Sequence, residues 1–261
     1  MKKILIIGKK SFIGSNLKKY LSKNYDVDII DFKKANNEKK NYFYKYSHVI
    51  NTSIHKSYIN NKYDRSFDLD RKFISKFRSI SFNYIFLNTR KIYIPKENIF
   101  ENSTLKPCDF YSTNKLKTEK YLLSKIKKNL ISLRVSNIIG KRIYSKHRST
   151  HKLFFDNFLK FRKKENLKFD NTFKDFLSIE QFCMMLDKII KYNVIGIYNV
   201  SLSKRVYLSE IVYWMDKKFY KKIKFINSTK GSFTLSNKKL IKKIKIKPTK
   251  KALRIFCENL F

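Results

Sequence analysis

The chain has 261 residues, enough to bury a sizeable core as one large domain or as a domain with a smaller lobe. Its 43% hydrophobic and 16% aromatic content excludes a disordered protein, and no apolar run approaches the ~20 residues of a membrane span. The formal charge of +40 rests on 60 basic against 20 acidic residues.

Lys3 to Ile7 reads as a short apolar strand of the kind buried in a parallel sheet, and Ile13, Leu17 and Leu21 then recur at helical spacing. Val27 to Asp31, His48 to Thr52, Tyr84 to Asn88 and Leu130 to Val135 are further strands, with helices over Asp68 to Arg78 and Tyr111 to Ile126. The link from Asp31 to His48 is short and polar, so that crossover is cut down. The alternation predicts an α/β fold, a doubly wound Rossmann-type parallel sheet. Beyond Gly140 the pattern changes, and residues 141–174 are basic and aromatic without clean periodicity. A helix follows over Ser178 to Tyr192, a strand over Gly196 to Val200, and a helix over Leu208 to Phe219. The lysine-rich tail from Lys221 to Lys250 shows a short β-like run at Ile223 to Ile226. The expected organisation is a core of residues 1–140 with a returning segment at about 175–200. Residues 141–174 and 201–261 then form a small C-terminal lobe for the substrate.

Ten of the basic residues are arginine, so the excess is nearly all lysine, and it is spread along the chain. Residues with A/T-rich codons abound while glycine (5) and proline (3) are scarce, so genome bias accounts for the charge. A basic nucleic-acid-binding scaffold is the competing reading, and it requires basic and stacking aromatic residues gathered on one face. Either way the charge draws anionic ligands toward any cleft. Cys108, Cys183 and Cys257 are far apart and the four histidines are scattered, which suggests neither a disulfide framework nor a metal site. The N-terminal apolar run is too short for a signal peptide, and the expected location is cytoplasmic.

Gly8 and Gly14 bracket the turn after the first strand. Glycine at 8 permits a sharp turn, glycine at 14 permits close helix–strand packing, and the helix start presents free N–H groups to a pyrophosphate. About 20 residues on, Asp31 ends the second strand, where a carboxylate can accept hydrogen bonds from an adenine ribose. Asp31 would repel a 2′-phosphate and tilts the cofactor toward NAD, whereas Lys33 and Lys34 favour NADP.

Together these segments resemble the extended short-chain dehydrogenases/reductases of the nucleotide-sugar epimerase/dehydratase type. Gly8 to Gly14 is similar to their GxxGFIG turn, with Ser11 in place of the middle glycine. Val49-Ile50-Asn51-Thr52-Ser53 resembles the strand end that lines the cofactor, and Leu87 to Tyr93 the segment carrying the catalytic Ser or Thr. Pro107, Tyr111, Lys115 and Glu119 resemble Pro…Tyr-x-x-x-Lys-x-x-x-Glu, and Leu133 to Gly140 resembles Leu-Arg-x-x-Asn-x-x-Gly. Lys174-Asp175-Phe176 is similar to the Arg-Asp-Phe segment that leads back to the core. Tyr-x-x-x-Lys alone means little here, since chance predicts about three pairs among 17 tyrosines and 50 lysines and five occur. Only Tyr111/Lys115 follows the fourth strand and opens a helix.

The resemblance implies an NAD(P)-dependent enzyme with Thr89, Tyr111 and Lys115 as catalytic groups. It implies a cofactor, NAD or NADP, held by Gly8, Ser11, Phe12, Ile13, Gly14, Asp31, Asn51, Thr52, Tyr111 and Lys115. Thr89 and Asn137 would touch a nucleotide-sugar substrate. Tyr111 and Lys115 share one helical face, where an ammonium can lower a phenol that titrates near ~10 by ~1–3 units. Arg90 and Lys91 stand where dehydratases carry an acidic pair, which leaves keto-sugar reduction or epimerisation. A catalytically idle NAD(P)-binding protein is the other alternative, and an intact Thr89, Tyr111 and Lys115 set argues against it. Relatives imply a homodimer through the helices at 68–78 and 111–126.

Overall fold

The computed structural model describes residues 1–143, 154–164 and 167–260, so part of the stretch 141–174 lies outside the described residues. The chain opens with β1 (Lys3–Ile7), in which Ile4 to Ile7 are completely buried. The two-residue period of a strand sends Ile4 and Ile6 into one apolar cluster and Leu5 and Ile7 into another on the opposite face. A strand apolar on both faces must be covered on both. There follow α1 (Phe12–Leu21), β2 (Asp26–Ile30), α2 (Phe32–Asn37), β3 (His48–Asn51), α3 (Lys56–Asn60), α4 (Leu69–Ile74), β4 (Asn83–Thr89), α5 (Phe110–Ile126) and β5 (Leu130–Val135).

Next come β6 (Asn137–Ile139), α6 (Phe154–Phe161), β7 (Leu167–Asn171), β8 (Phe173–Lys174) and β9 (Phe176–Ser178). The chain returns to the main sheet through α7 (Ile179–Lys191) and β10 (Gly196–Val200). β11 (Val206–Tyr207), α8 (Leu208–Met215), α9 (Lys217–Tyr220), β12 (Ile223–Asn227), α10 (Lys238–Ile244) and α11 (Lys250–Glu258) complete it.

Six strands form the main sheet in the order β10-β5-β4-β3-β1-β2, and every neighbouring pair is parallel. Leu17 and Leu21 of α1 and Phe182 and Leu186 of α7 pack on one face. Phe73 and Ile74 of α4 and Leu122 and Ile126 of α5 pack on the other. This is the doubly wound Rossmann-type α/β fold expected from the alternation. The strand order reverses between β1 and β3, and ligands of open α/β sheets bind in the crevice at such a reversal. The link from β2 to β3 holds only α2 and one 3₁₀ turn at Lys40–Phe43, in line with its short polar sequence. Outside the main sheet, β6 pairs with β9, β7 with β12 and β8 with β11.

Three segments depart from the sequence pattern. The helix expected over 68–78 ends at Ile74, because Phe77 turns into the ring cluster of Phe43, Phe73 and Phe82. There Lys76 donates to the carbonyls of Ala35, Asn36 and Glu38, at the end of α2. The helix expected over 208–219 breaks at Asp216, whose side chain caps α9 by accepting from the Phe219 amide. The tail folds into α10 and α11, each anchored by two buried residues, Leu240 with Ile244 and Leu253 with Cys257. Among the described residues no helix is long and apolar enough to cross a membrane.

A polar knot lies inside this apolar frame. Glu119 of α5 and Arg134 of β5, 1% and 3% exposed, form a two-pronged ion pair at 2.6 and 3.2 Å. Glu119 also accepts from Asn88 and Ser132, and Arg134 donates to the Tyr93 hydroxyl and the Glu101 carbonyl. Removing one member of such a pair strands the other charge and typically costs ~3–5 kcal/mol. Glu119→Ala is therefore expected to lower the unfolding free energy by about that amount in urea denaturation. Glu258→Ala, which breaks the exposed Arg254–Glu258 pair, should leave the midpoint almost unmoved.

Candidate active site

The turn after β1 is built on one strained position. Gly8 has φ +123°, and a Cβ there would lie 2.3 Å from Thr52 Oγ1. Thr52, just past β3, is fixed by its own amide and hydroxyl, both donating to the Ile7 carbonyl. Gly14 lies one turn inside α1, where a Cβ would come within 2.6 Å of the Gly8 carbonyl oxygen. Ser11, in the middle of the turn, has φ −73° and needs no glycine. Its hydroxyl caps α1 by accepting from the Gly14 amide at 3.2 Å. The Phe12 and Ile13 amides at the helix start have no intrahelical acceptor.

This turn forms one wall of a cleft of about 1390 Å³. Single-ligand pockets run to ~300–1,000 Å³, so the cleft has room for a dinucleotide and a second ligand. Gly8, Ser11, Phe12, Ile13, Asp31, Asn51, Thr52, Thr89, Tyr111, Lys115 and Asn137 all line it. Gly14 sits behind the wall. The close backbone approach at Gly8 and Gly14 suits a pyrophosphate at the start of α1. Asp31 caps α2 through the Lys34 amide at 2.8 Å while remaining exposed at the cleft.

Thr89 ends β4, where its hydroxyl accepts from the Lys91 amide and its own amide donates to Asn88. Asp109 caps α5 together with Ser112 and binds Lys91 at 2.9 Å, which ties the turn after Thr89 to the helix carrying Tyr111. Tyr111, Lys115 and Glu119 then follow at four-residue spacing on one stripe of α5. Asn137 opens β6 on the far side, its amide donating to the Asp175 carbonyl. The Asp175 carboxylate accepts from the amides of Leu202, Ser203 and Leu235, yet burial still pushes its pKa up to about 7.

Burial, with Asp109 and Asp70, pushes the Tyr111 phenol above its ordinary value. One residue beside Lys115 escaped the sequence reading. Asp70, 5% exposed in α4, lies 3.9 Å from the Lys115 ammonium, which also sits over the Phe86 ring at 4.5 Å. Tyr84 and Asn51 donate to the same carboxylate at 2.7 and 3.0 Å. Burial raises Asp70 and lowers Lys115, each counteracted by its partner. In sequence, Asp70 reads only as an acid in the first turn of a helix. Lys9, Lys10, Arg90, Lys91 and Lys174 also line the cleft, which with Lys115 gives six cations against Asp31 and Asp109. The described residues contain no cluster of His, Cys, Asp and Glu suited to a metal ion.

A model of the NAD dependent epimerase/dehydratase family matches residues 4–201. No curated protein matches the sequence. Among solved structures, the UDP-N-acetylglucosamine 4-epimerase of Methanobrevibacter ruminantium in complex with UDP-N-acetylmuramic acid is similar, with a TM-score of 0.78 and 17% identity. That match covers 99% of this chain and 96% of the other. The dTDP-glucose 4,6-dehydratase of Bacillus anthracis in complex with NAD gives 0.75 at 16% identity, covering 100% and 96%. The dTDP-4-dehydrorhamnose reductase of the same organism in complex with NADP gives 0.74 at 14%, covering 100% and 99%. An epimerase, a dehydratase and a reductase thus share this fold along nearly its whole length.

The turn provides a direct test. A side chain at position 14 must displace the Gly8 carbonyl, so Gly14→Val is expected to weaken NAD(P)H binding at least about tenfold in a fluorescence titration. Circular dichroism should show the fold retained, and unchanged binding in the folded variant would remove the turn from the cofactor site.

Proposed function

The chain belongs to the NAD dependent epimerase/dehydratase family, and from that premise we propose that it acts by hydride transfer on a nucleotide-activated sugar, as a keto-sugar reductase or an epimerase. The observation that carries this reading is a single cleft lined by the Gly8 turn, Thr89, Tyr111, Lys115 and Asn137. When bound, NAD(P) supplies or takes up the hydride. Phe12 and Ile13 offer amides to its pyrophosphate and Asp31 a carboxylate to its adenine ribose, while Asn51 and Thr52 line its path. The Asp31 carboxylate favours NAD, and the neighbouring Lys9, Lys10, Lys33 and Lys34 favour NADP. Parallel titrations with NADH and NADPH decide between them.

Tyr111 moves a proton on or off the sugar hydroxyl, and the Thr89 hydroxyl binds the same oxygen. Lys115 has two tasks in this scheme. It hydrogen-bonds the nicotinamide ribose, and it brings positive charge to the phenol. Asn137 contacts the sugar or its diphosphate from β6. From the expected C-terminal lobe, Phe154, Asn157, Thr172, Lys174 and Leu208 line the substrate end of the cleft. Arg90 and Lys91 offer no acid and base for removing water, which supports reduction or epimerisation over dehydration.

Tyr111→Phe is expected to keep NAD(P)H affinity within about twofold and lose turnover by ~10²–10⁴-fold, the usual contribution of proton-transfer catalysis. Lys115→Ala should damage both. Tyr121→Phe and Tyr213→Phe, which alter two chance pairs, should do little. Near-full activity of Tyr111→Phe on the identified nucleotide sugar would leave the tyrosine a packing residue and the protein an idle binder. A homodimer through α4 and α5 belongs to the same proposal. Their exposed basic residues, including Lys117 and Lys120, predict a dimer fraction that rises with salt in light scattering at micromolar concentration.

A further inference from the structure

Directly after Thr89, two residues of the 3₁₀ turn Arg90–Ile92 put cations into the cleft, and Lys174 adds a third from β8. Lys91 is neutralised by Asp109 at 2.9 Å. Arg90 and Lys174 make no ion pair and no side-chain hydrogen bond among the described residues, and the Arg90 Nε is buried without an acceptor. Burial lowers the Lys174 ammonium, and Arg90 and Lys91 depress it further, so the cations are close enough to repel. Asp109 opposes the burial cost of Arg90 through its charge without pairing with it, and two partly buried like charges destabilise a fold unless an anion joins them.

Arg90 is also held in place. Its guanidinium lies 3.8 Å from the centroid of the Phe233 ring, a cation–π contact with a fully buried residue. Phe233 is fixed in turn, because the adjoining Thr234 carbonyl accepts from Ile99 and the Leu235 amide donates to Asp175. A stacked guanidinium with free nitrogens is built for the two oxygens of a carboxylate or phosphate.

We propose that Arg90, with Lys174 opposite, is a specificity site for a carboxylate on the sugar ring, so that the substrate is a nucleotide-linked uronic acid or a similarly carboxylated sugar. This inference rests on the nucleotide-sugar reading given above. Arg90 directly follows Thr89, the residue assigned to the reacting oxygen, and both line the same cleft. A carboxylate on the ring carbon next to the reacting one is the sugar anion closest to that oxygen. The diphosphate is the other anion in such a substrate, and the test separates the two.

Calorimetric titration of the cofactor-saturated protein compares free UDP, UDP-glucose and UDP-glucuronic acid, then the dTDP and GDP counterparts. In the series that binds, the uronic acid is expected to bind at least about tenfold more tightly than the glucose compound. Arg90→Gln should bring the two within about twofold of each other and leave the free diphosphate as it was. Arg90→Lys keeps the charge and loses the fork, and it should retain part of the preference, giving a second reading if the glutamine variant folds poorly. A wild-type protein that does not favour the uronic acid overturns the proposal. Equal weakening of all three ligands by Arg90→Gln also overturns it, and assigns Arg90 to the diphosphate. Failure of every nucleoside diphosphate and sugar conjugate to bind overturns the nucleotide-sugar reading and this inference together.

Discussion

The geometry of the cleft depends on the buried pair of Glu119 and Arg134. Two desolvated charges are costly, and this pair is tolerated because nearly every lone pair and proton around it is matched, by Asn88, Ser132, Tyr93 and the Glu101 carbonyl. Those partners come from β4, β5 and the segment after Thr89, so the knot joins α5 to the sheet at one depth and one rotation. Tyr111, Lys115 and Glu119 share a stripe of α5, so fixing Glu119 also fixes where the other two point. Tyr93 extends the knot to Asn199 in β10, which brings the sheet edge into register with the site.

A second buried charge works differently. Asp70 and Lys115 are 3.9 Å apart, longer than a direct hydrogen bond, and the carboxylate takes its short bonds from Tyr84 and Asn51. The lysine is drawn by the charge without being locked by it. In the function proposed above the lysine serves a phenol and a ribose, and a loose resting place suits both tasks. With six cations and two carboxylates lining the cleft, the site is poised for ligands that bring their own negative charge.

Much of this was legible in the sequence because parallel strands buried on both faces are continuous apolar runs. β1, β5 and β10 match the sequence reading to the residue, β3 differs by one at one end, and β2 and β4 differ by one at both ends. The candidate site residues form a spaced series in the sequence, and all of them but Gly14 line one cleft. What escaped was set by contacts distant in sequence. The end of α4 is decided by Phe77 meeting Phe43 and Phe82, and the break at Asp216 by a cap. The helices of the tail carry too few apolar residues to stand out from a lysine-rich background. Ser11 looked like a departure from pattern, and its role as a helix cap becomes visible only with the Gly14 amide in place. Asp70 could not be told from a surface acid without knowing that Lys115 lies behind it.

The stretch Ser232–Asn237 is buried throughout, and its backbone is stitched to the loop around Ile99 and to the end of β10. This carries a consequence for the order of assembly. During synthesis the six strands of the main sheet have all emerged by Val200, yet the Asp175 carboxylate still lacks all three of its amide donors, and the last, from Leu235, comes only with the buried stretch. The ring beneath Arg90 has not been made, and Ile92, Tyr93 and Ile99 have no lid. A nascent chain at that length holds a finished sheet with an open apolar seam and an acid without its amide donors. Productive folding therefore waits for about forty more residues to clear the ribosome, roughly two to eight seconds at ~5–20 residues per second. Over that interval the seam, rather than the sheet edge, is the surface that a chaperone would have to cover.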